Sequence, residues 1–368
     1  MPDASPDAGR VTPNPKVGEK AREGHPVVFV LDVHGTPLQP TGPARARRLL
    51  KGGRAVVARH TPFVIRLKDR TVAESQVDGV ELGIDPGSKC TGIAVFTAKD
   101  GERRGVYAVE LAHRGAVVRD KLTARASYRR GRRSRDLRHR APRFSNRTRP
   151  KGWLAPSLRH RVETTMSGAS RLARWAPVRA VHVERVGFCT HAMSNGGPLQ
   201  GAEYQHGTLH GTEVREYLSA KWGRACAYCG ITGDRQRTGI PETHTLDALC
   251  VGELDIITRA PACVLAVTST GRGAYTRTRT DKYGFPRLRL PRQKQFFGYQ
   301  TGDLARAVVP SGKKTGTHTG RIAVRATGSF NIKTAHGLVQ GIGHKYFRLL
   351  QRADGYAYVT RPEGPTER

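Results

Sequence analysis

The chain has 368 residues, with 63 lysines and arginines against 30 aspartates and glutamates and a formal net charge of +33. That length suits two or three modest domains, and that charge self-repels unless a polyanion neutralises it, so nucleic acid bound with strong salt dependence is the expected partner. No apolar run approaches the roughly 18 residues of a membrane-spanning helix, so a membrane is not expected as a partner and an RNA binder of ribosomal type is the plain alternative.

Residues 1–25 are rich in Pro, Gly, Asp and Lys without an apolar stretch, and read as a disordered tail rather than a secretory signal. The six cysteines are accordingly expected as free thiols in a reducing cytoplasm. From Pro26 to about Arg70 a compact unit is predicted: a strand over Val27–Val33, a turn at His34-Gly35, a basic helix over Ala44–Lys51, and paired strands over Ala55–Ala58 and Phe63–Leu67. Val80–Phe96 and Val106–Leu111 read as neighbouring strands of a second sheet, with Lys99-Asp-Gly-Glu102 as a hairpin-type turn.

The character changes after Arg119. Arg125, Arg129, Arg130, Arg132, Arg133, Arg135, Arg138 and Arg140 cover every face of a helix over this stretch, which leaves no apolar stripe to dock. Like charges at helical neighbours oppose such a helix in isolation, so a polyanion is expected to order it, a disordered basic linker being the plain alternative. Further on, Leu158–Trp175 reads as a helix and Ala180–Val186 as a strand with His182 and Glu184 on one face. Helices are predicted over Thr212–Trp222 and from His244 to Val251, and from about Thr258 the chain reads as a small β-rich domain, with strands at Leu304–Val309, Arg321–Arg325 and Phe330–Lys333.

Four residues carry candidate chemistry. Asp85 closes an apolar strand at the turn Pro86-Gly87-Ser88, where a carboxylate is exposed and glycine admits a phosphate backbone. Glu184 lies on a later strand, and His244 and Asp247, three residues apart, share one face of a helix. Three carboxylates converging on two Mg²⁺ ions would support in-line attack of water on a phosphodiester, with the histidine positioning or deprotonating that water. Singly, each has a plain reading: Asp85 a hairpin turn, Glu184 a salt bridge with Arg185, Asp247 a first-turn helix carboxylate.

These residues carry a resemblance to the IscB/IsrB group of transposon-associated, RNA-guided (OMEGA) nucleases, relatives of the type II CRISPR effectors, over about Val27 to Tyr358. Gly35-Thr-Pro-Leu-Gln-Pro40 resembles the PLMP motif, with Gln39 in place of Met; Leu82-Gly-Ile-Asp-Pro-Gly87, Val183-Glu184-Arg185 and Thr243-His244-Thr-Leu-Asp247 resemble the three RuvC motifs. Arg129-Arg-Gly-Arg-Arg-Ser-Arg135 resembles the bridge helix, and Gly271–Tyr275, Asp281–Phe285 and Arg325–Ile332 resemble the C-terminal region that contacts guide RNA and target-adjacent DNA.

The resemblance implies an α/β architecture with an RNase H-like (RuvC) core split by an arginine-rich bridge helix, a small N-terminal PLMP-type domain and a β-rich C-terminal domain. Its segments would be a PLMP-like domain at 26–72, RuvC parts at 78–116, 152–230 and 231–257, the bridge helix at 117–151, and a C-terminal domain at 258–368. It also implies Asp85, Glu184, His244 and Asp247 as catalytic, with Asp85, Glu184 and Asp247 holding Mg²⁺, for which Mn²⁺ could substitute.

Trp222–Gly230 resembles the opening knuckle of the HNH domain of IscB, yet Ile231–Thr243 holds no His or Asn for an HNH site. Cys226 and Cys229 have no second CxxC pair to complete a tetrahedral zinc site, so they read as a vestige and no zinc is expected. An HNH-less chain resembles IsrB, which implies a guide-RNA-dependent nickase of the displaced, non-target strand of double-stranded DNA, monomeric within a cytoplasmic ribonucleoprotein. Arg277, Arg279, Arg287 and Arg292, interleaved with Tyr275 and Tyr283, suit phosphate contact and base stacking. The rival readings are a guided binder that does not cut and a guide-independent RuvC-like nuclease of branched DNA.

Overall fold

The computed structural model describes residues 27–133, 152–184, 243–252, 256–270, 278–280, 286–289 and 293–363. The first unit is a four-stranded sheet in the order β2-β1-β4-β3, from β1 (Val28–Leu31), β2 (Pro37–Thr41), β3 (Ala55–Arg59) and β4 (Val64–Leu67), with helix α1 (Pro43–Lys51) between β2 and β3. Alternation decides its two faces. Val28, Val30, Ile65 and Leu67 pack with Ala46 of α1, whereas Phe29 and Val64 turn to the neighbouring body, where Phe29 meets Tyr107 edge-on at 5.0 Å.

That body is a seven-stranded sheet. β5 (Val80–Pro86), β6 (Cys90–Lys99) and β7 (Glu102–Ala112) form an antiparallel meander. The β6–β7 turn is Asp100-Gly101, with φ of 52° and 78°, the left-handed pair that a two-residue hairpin of right-twisted strands requires. Helix α2 (Gly115–Arg133) follows, and helix α3 (Pro156–Ala173) returns to cover one face, where Gly168 lies against Ile93 and Leu111. β8 (Val178–Val183) then joins parallel to β5 at the sheet edge.

Helix α4 (His244–Cys250) lies on the opposite face, packing Leu246, Ala248 and Leu249 on Ala94 and Phe96. β9 (Ile256–Arg259) and β10 (Cys263–Ser269) both run parallel to β7. Next come two hairpins, β11 (Thr278–Thr280) with β12 (Pro286–Arg289) and β13 (Gln295–Phe296) with β14 (Tyr299–Gln300).

A five-stranded antiparallel sheet, ordered β18-β17-β16-β15-β19, is built from β15 (Leu304–Val309), β16 (Gly316–Ala323), β17 (Ser329–Thr334), β18 (Gly337–Gly343) and β19 (Phe347–Gln351) around Phe330, Ile332, Ile322 and Phe347. The last strand, β20 (Tyr356–Pro362), leaves this domain and pairs antiparallel with β10.

The boundary expected at residue 258 is therefore corrected. β10 and β20 are strands of the central sheet, and the separate β-domain lies between them, from about residue 295 to 351. Pairing at long range drew them in: Leu265 and Val267 supply the core around β7, a destination that local composition does not encode. The tail at 1–25, the helix predicted at Thr212–Trp222 and the Cys226/Cys229 pair lie outside the described residues. No described helix is long and apolar enough to cross a membrane.

Candidate metal centre

A seven-residue helix has too few internal hydrogen bonds to stand alone, so α4 holds its place only through its surroundings. Thr243 caps it, accepting from the Leu246 N–H at 3.2 Å, and both Thr243 and Thr245 donate their hydroxyls to Glu363 at 2.8–2.9 Å. The other end rests on Arg103, only 4% exposed, whose guanidinium donates to the carbonyls of Leu249 and Val251 at 2.9 and 2.7 Å and stacks 4.5 Å over Phe96. The middle lies flat on the sheet because Gly83 and Gly92 have no side chains. A Cβ on Gly83 would fall 1.8 Å from the Ala248 carbonyl oxygen, and one on Gly92 1.7 Å from that of His244.

This seat delivers two side chains to the end of β5. Asp85 shares the α4-facing side of its strand with Gly83, and its carboxylate, 14% exposed, accepts a 2.7 Å hydrogen bond from the His244 Nδ1–H. One ligand-type atom each from Asp85, His244 and Asp247 lie within 4.8 Å of one another. The i, i+3 reading of His244 and Asp247 is thus realised.

Glu184 follows β8. Its N–H donates to the Ile84 carbonyl at 2.9 Å, continuing the parallel register in which Gly83 faces His182 and Ile84 faces Val183, so Glu184 stands abreast of Asp85. Glu184 is exposed and is not one of the three residues whose ligand-type atoms converge. His182, on the same face, is engaged by Glu81 at 2.8 Å.

The hydrogen bond to Asp85 holds the His244 imidazole above its ordinary pKa; burial opposes this, and the charges of Asp85, Asp247 and Glu110 reinforce it. With Nδ1 committed to Asp85, Nε2 is the outward nitrogen. It lies beside Gly87, where an added Cβ would come 3.3 Å from it and 2.9 Å from Cε1. Two carboxylates in one pocket, with a third abreast in register, are a donor set suited to a hard divalent cation.

Residues absent from the sequence reading complete the site. Glu363 anchors α4 from beyond β20, and Glu110 on β7, paired with Arg361, adds negative charge beside His244. Neither sits in a motif; only sheet pairing brings them here. Of the arginines expected to meet nucleic acid, Arg125, Arg129 and Arg130 are exposed on α2, and Arg132 and Arg133 end that helix. Arg287 is exposed on β12 and Arg279 belongs to β11, whereas Arg135, Arg138, Arg140, Arg277 and Arg292 lie outside the described residues.

A protein-family model, the RRXRR protein, matches residues 28–207. The matched span contains Asp85, Glu184 and the run Arg129-Arg-Gly-Arg-Arg133, which follows the pattern in that family's name. Among curated proteins, none is significantly similar to the chain.

Proposed function

We propose that this chain is an RNA-guided DNA endonuclease with an RNase H-like core, whose RuvC-like site nicks the displaced, non-target strand. The observation that carries the reading is the convergence of Asp85, His244 and Asp247 within 4.8 Å at the end of β5, in a chain of net charge +33. The RRXRR match and the exposed arginines of α2 support it.

Asp85, Asp247 and Glu184 would hold Mg²⁺, which when bound activates water and offsets charge on the leaving oxygen. The side chains have distinct tasks. Asp85 also orients the imidazole through Nδ1, so that Nε2 faces the Pro86-Gly87 turn, which can approach the ring this closely because Gly87 carries no side chain. The hydrogen bond to Asp85 shifts His244 toward its protonated form, whose Nε2–H is suited to donate to a phosphate oxygen near that turn. Arg125, Arg129 and Arg130 supply sequence-independent phosphate contacts, while base pairing with the guide supplies sequence.

The test uses the full chain with the RNA that co-purifies, a matching duplex and Mg²⁺. One strand should be nicked, and Asp85→Ala should abolish nicking with guide binding nearly unchanged. Cleavage of both strands, or undiminished nicking by Asp85→Ala, overturns the proposal; target binding without any nicking leaves a guided binder in its place.

A further inference from the structure

The hairpin β13–β14 turns on Phe297-Gly298, with φ of 50° and 79°. The same left-handed pair at the β6–β7 turn is filled by Asp100-Gly101, the kind of residue that tolerates it. A phenylalanine tolerates it poorly, and Phe297 also leaves half its surface in solvent, whereas the other described phenylalanines are buried or half-buried. Neither backbone preference nor burial accounts for an aromatic ring at this position.

The ring is held in a definite pose. It stacks on His344 with centroids 3.9 Å apart and planes 17° from parallel, and the turn ending at Gly328 backs both rings. A Cβ on Gly328 would lie 2.8 Å from His344 Nδ1 and 3.1 Å from Phe297 Cε2, so that glycine is what lets the pair sit there. Arg352 fixes the hairpin by donating to the Gly298 carbonyl at 2.6 Å.

The surroundings are uniformly cationic. Between Gln293 and Arg352 the sequence holds ten lysines and arginines and one acid, Asp303, which is fully buried and paired with Arg352. Exposed Arg325 opens the turn that ends at Gly328, and exposed Lys345 follows His344 in sequence, with its ammonium 5.1 Å over the Tyr346 ring.

We propose that Phe297, backed by His344, is a stacking platform for an unpaired nucleobase, with Arg325 and Lys345 meeting the adjoining phosphates. Aromatic faces accept any base, so the platform would grip a single strand without reading its sequence. This inference rests on the reading of the chain as a nucleic-acid enzyme and assigns it a contact outside the metal centre.

The experiment measures binding of the full chain to short single-stranded oligothymidylate and oligouridylate and to a matched duplex, for wild type and for Phe297→Asn and Phe297→Trp. Asparagine suits the left-handed turn, so Phe297→Asn should keep or raise the melting temperature while weakening single-strand binding about tenfold and leaving duplex binding unchanged. Phe297→Trp should bind as wild type. Whichever strand binds more tightly identifies the source of the base, and a 5-iodouracil strand of that kind should photocross-link at Phe297 or His344.

A lower melting temperature for Phe297→Asn with unchanged affinity would show a ring that merely covers the core and sink the platform. Cross-links found only elsewhere would sink it too. Either result leaves the Asp85-dependent nicking test standing, whereas loss of that nicking activity with the platform intact would remove only the nuclease reading.

Discussion

His244 and Asp85 are each other's nearest explanation. Asp85 emerges from a buried strand where its carboxylate would be costly to leave without a partner, and the His244 Nδ1–H meets it at 2.7 Å. Because that hydrogen bond is the first cause of the raised His244 pKa, Asp85→Asn should return the imidazole toward its ordinary value. Titration of the His244 ring signals by NMR in metal-free protein checks this, and an unchanged titration would mean that the pair does not form in solution. Asp247 adds to the same field from one turn along the helix, so its removal should act in the same direction with less force.

The short helix α4 shows how an element can be specified from outside itself. Its seven residues are too few for independent stability, and each third of it is held by a different part of the chain: Glu363 at the start, Gly83 and Gly92 beneath, Arg103 at the end. Gly92→Ala would place a methyl 1.7 Å from the His244 carbonyl oxygen, forcing strand and helix apart. The expected cost is about 3 kcal/mol, the upper end of ordinary overpacking, read as a lower midpoint in urea denaturation. Gly131→Ala in α2 is the control: nothing lies within 4 Å of its added Cβ, and alanine gains about 1 kcal/mol of helix propensity. Two such variants of equal stability would contradict the close seating of α4.

The whole molecule is tied together at Asp354, between the β-domain and β20. Its carboxylate accepts from Arg59 of the first unit at 2.6 Å, from Arg171 of α3 at 3.0 Å and from the Tyr358 hydroxyl. Arg59 also lies 4.9 Å over Trp175, and Gln351 accepts from the backbone N–H groups of His60 and Thr61, so three bodies meet at one junction.

Burial pushes the Asp354 carboxyl up, but the hydrogen bonds and charges of Tyr358, Arg59 and Arg171 outweigh it and leave the pKa below its ordinary 3.8. A folded-state pKa below the unfolded one stabilises the protein fully above pH 3.8 and progressively less as the pH falls through the folded value. Asp354→Asn should therefore be destabilising by about 1–3 kcal/mol at neutral pH, with the difference from wild type shrinking in acid. Denaturation curves at neutral and acidic pH check the sign. A gap that widens on acidification would contradict the junction.

Much of this was readable from local pattern. Alternation and a pair of residues suited to a left-handed turn define β5, β6 and β7, because side-chain period and turn chemistry are short-range properties. The i, i+3 spacing of His244 and Asp247 placed both on one face of α4, since helix geometry is local as well. The excess of positive charge is likewise legible in composition, because net charge summed over a chain needs no fold to be felt, and the polyanion it calls for remains part of the proposal. What lay beyond the linear pattern was which distant segments meet. β10 and β20 join the central sheet rather than the domain they flank, Glu363 reaches α4, and Gly83 and Gly92 matter for what lies over them. Strand partners and close approaches are chosen by packing between residues far apart in sequence, and there the neighbour that gives a residue its meaning exists only in the folded chain.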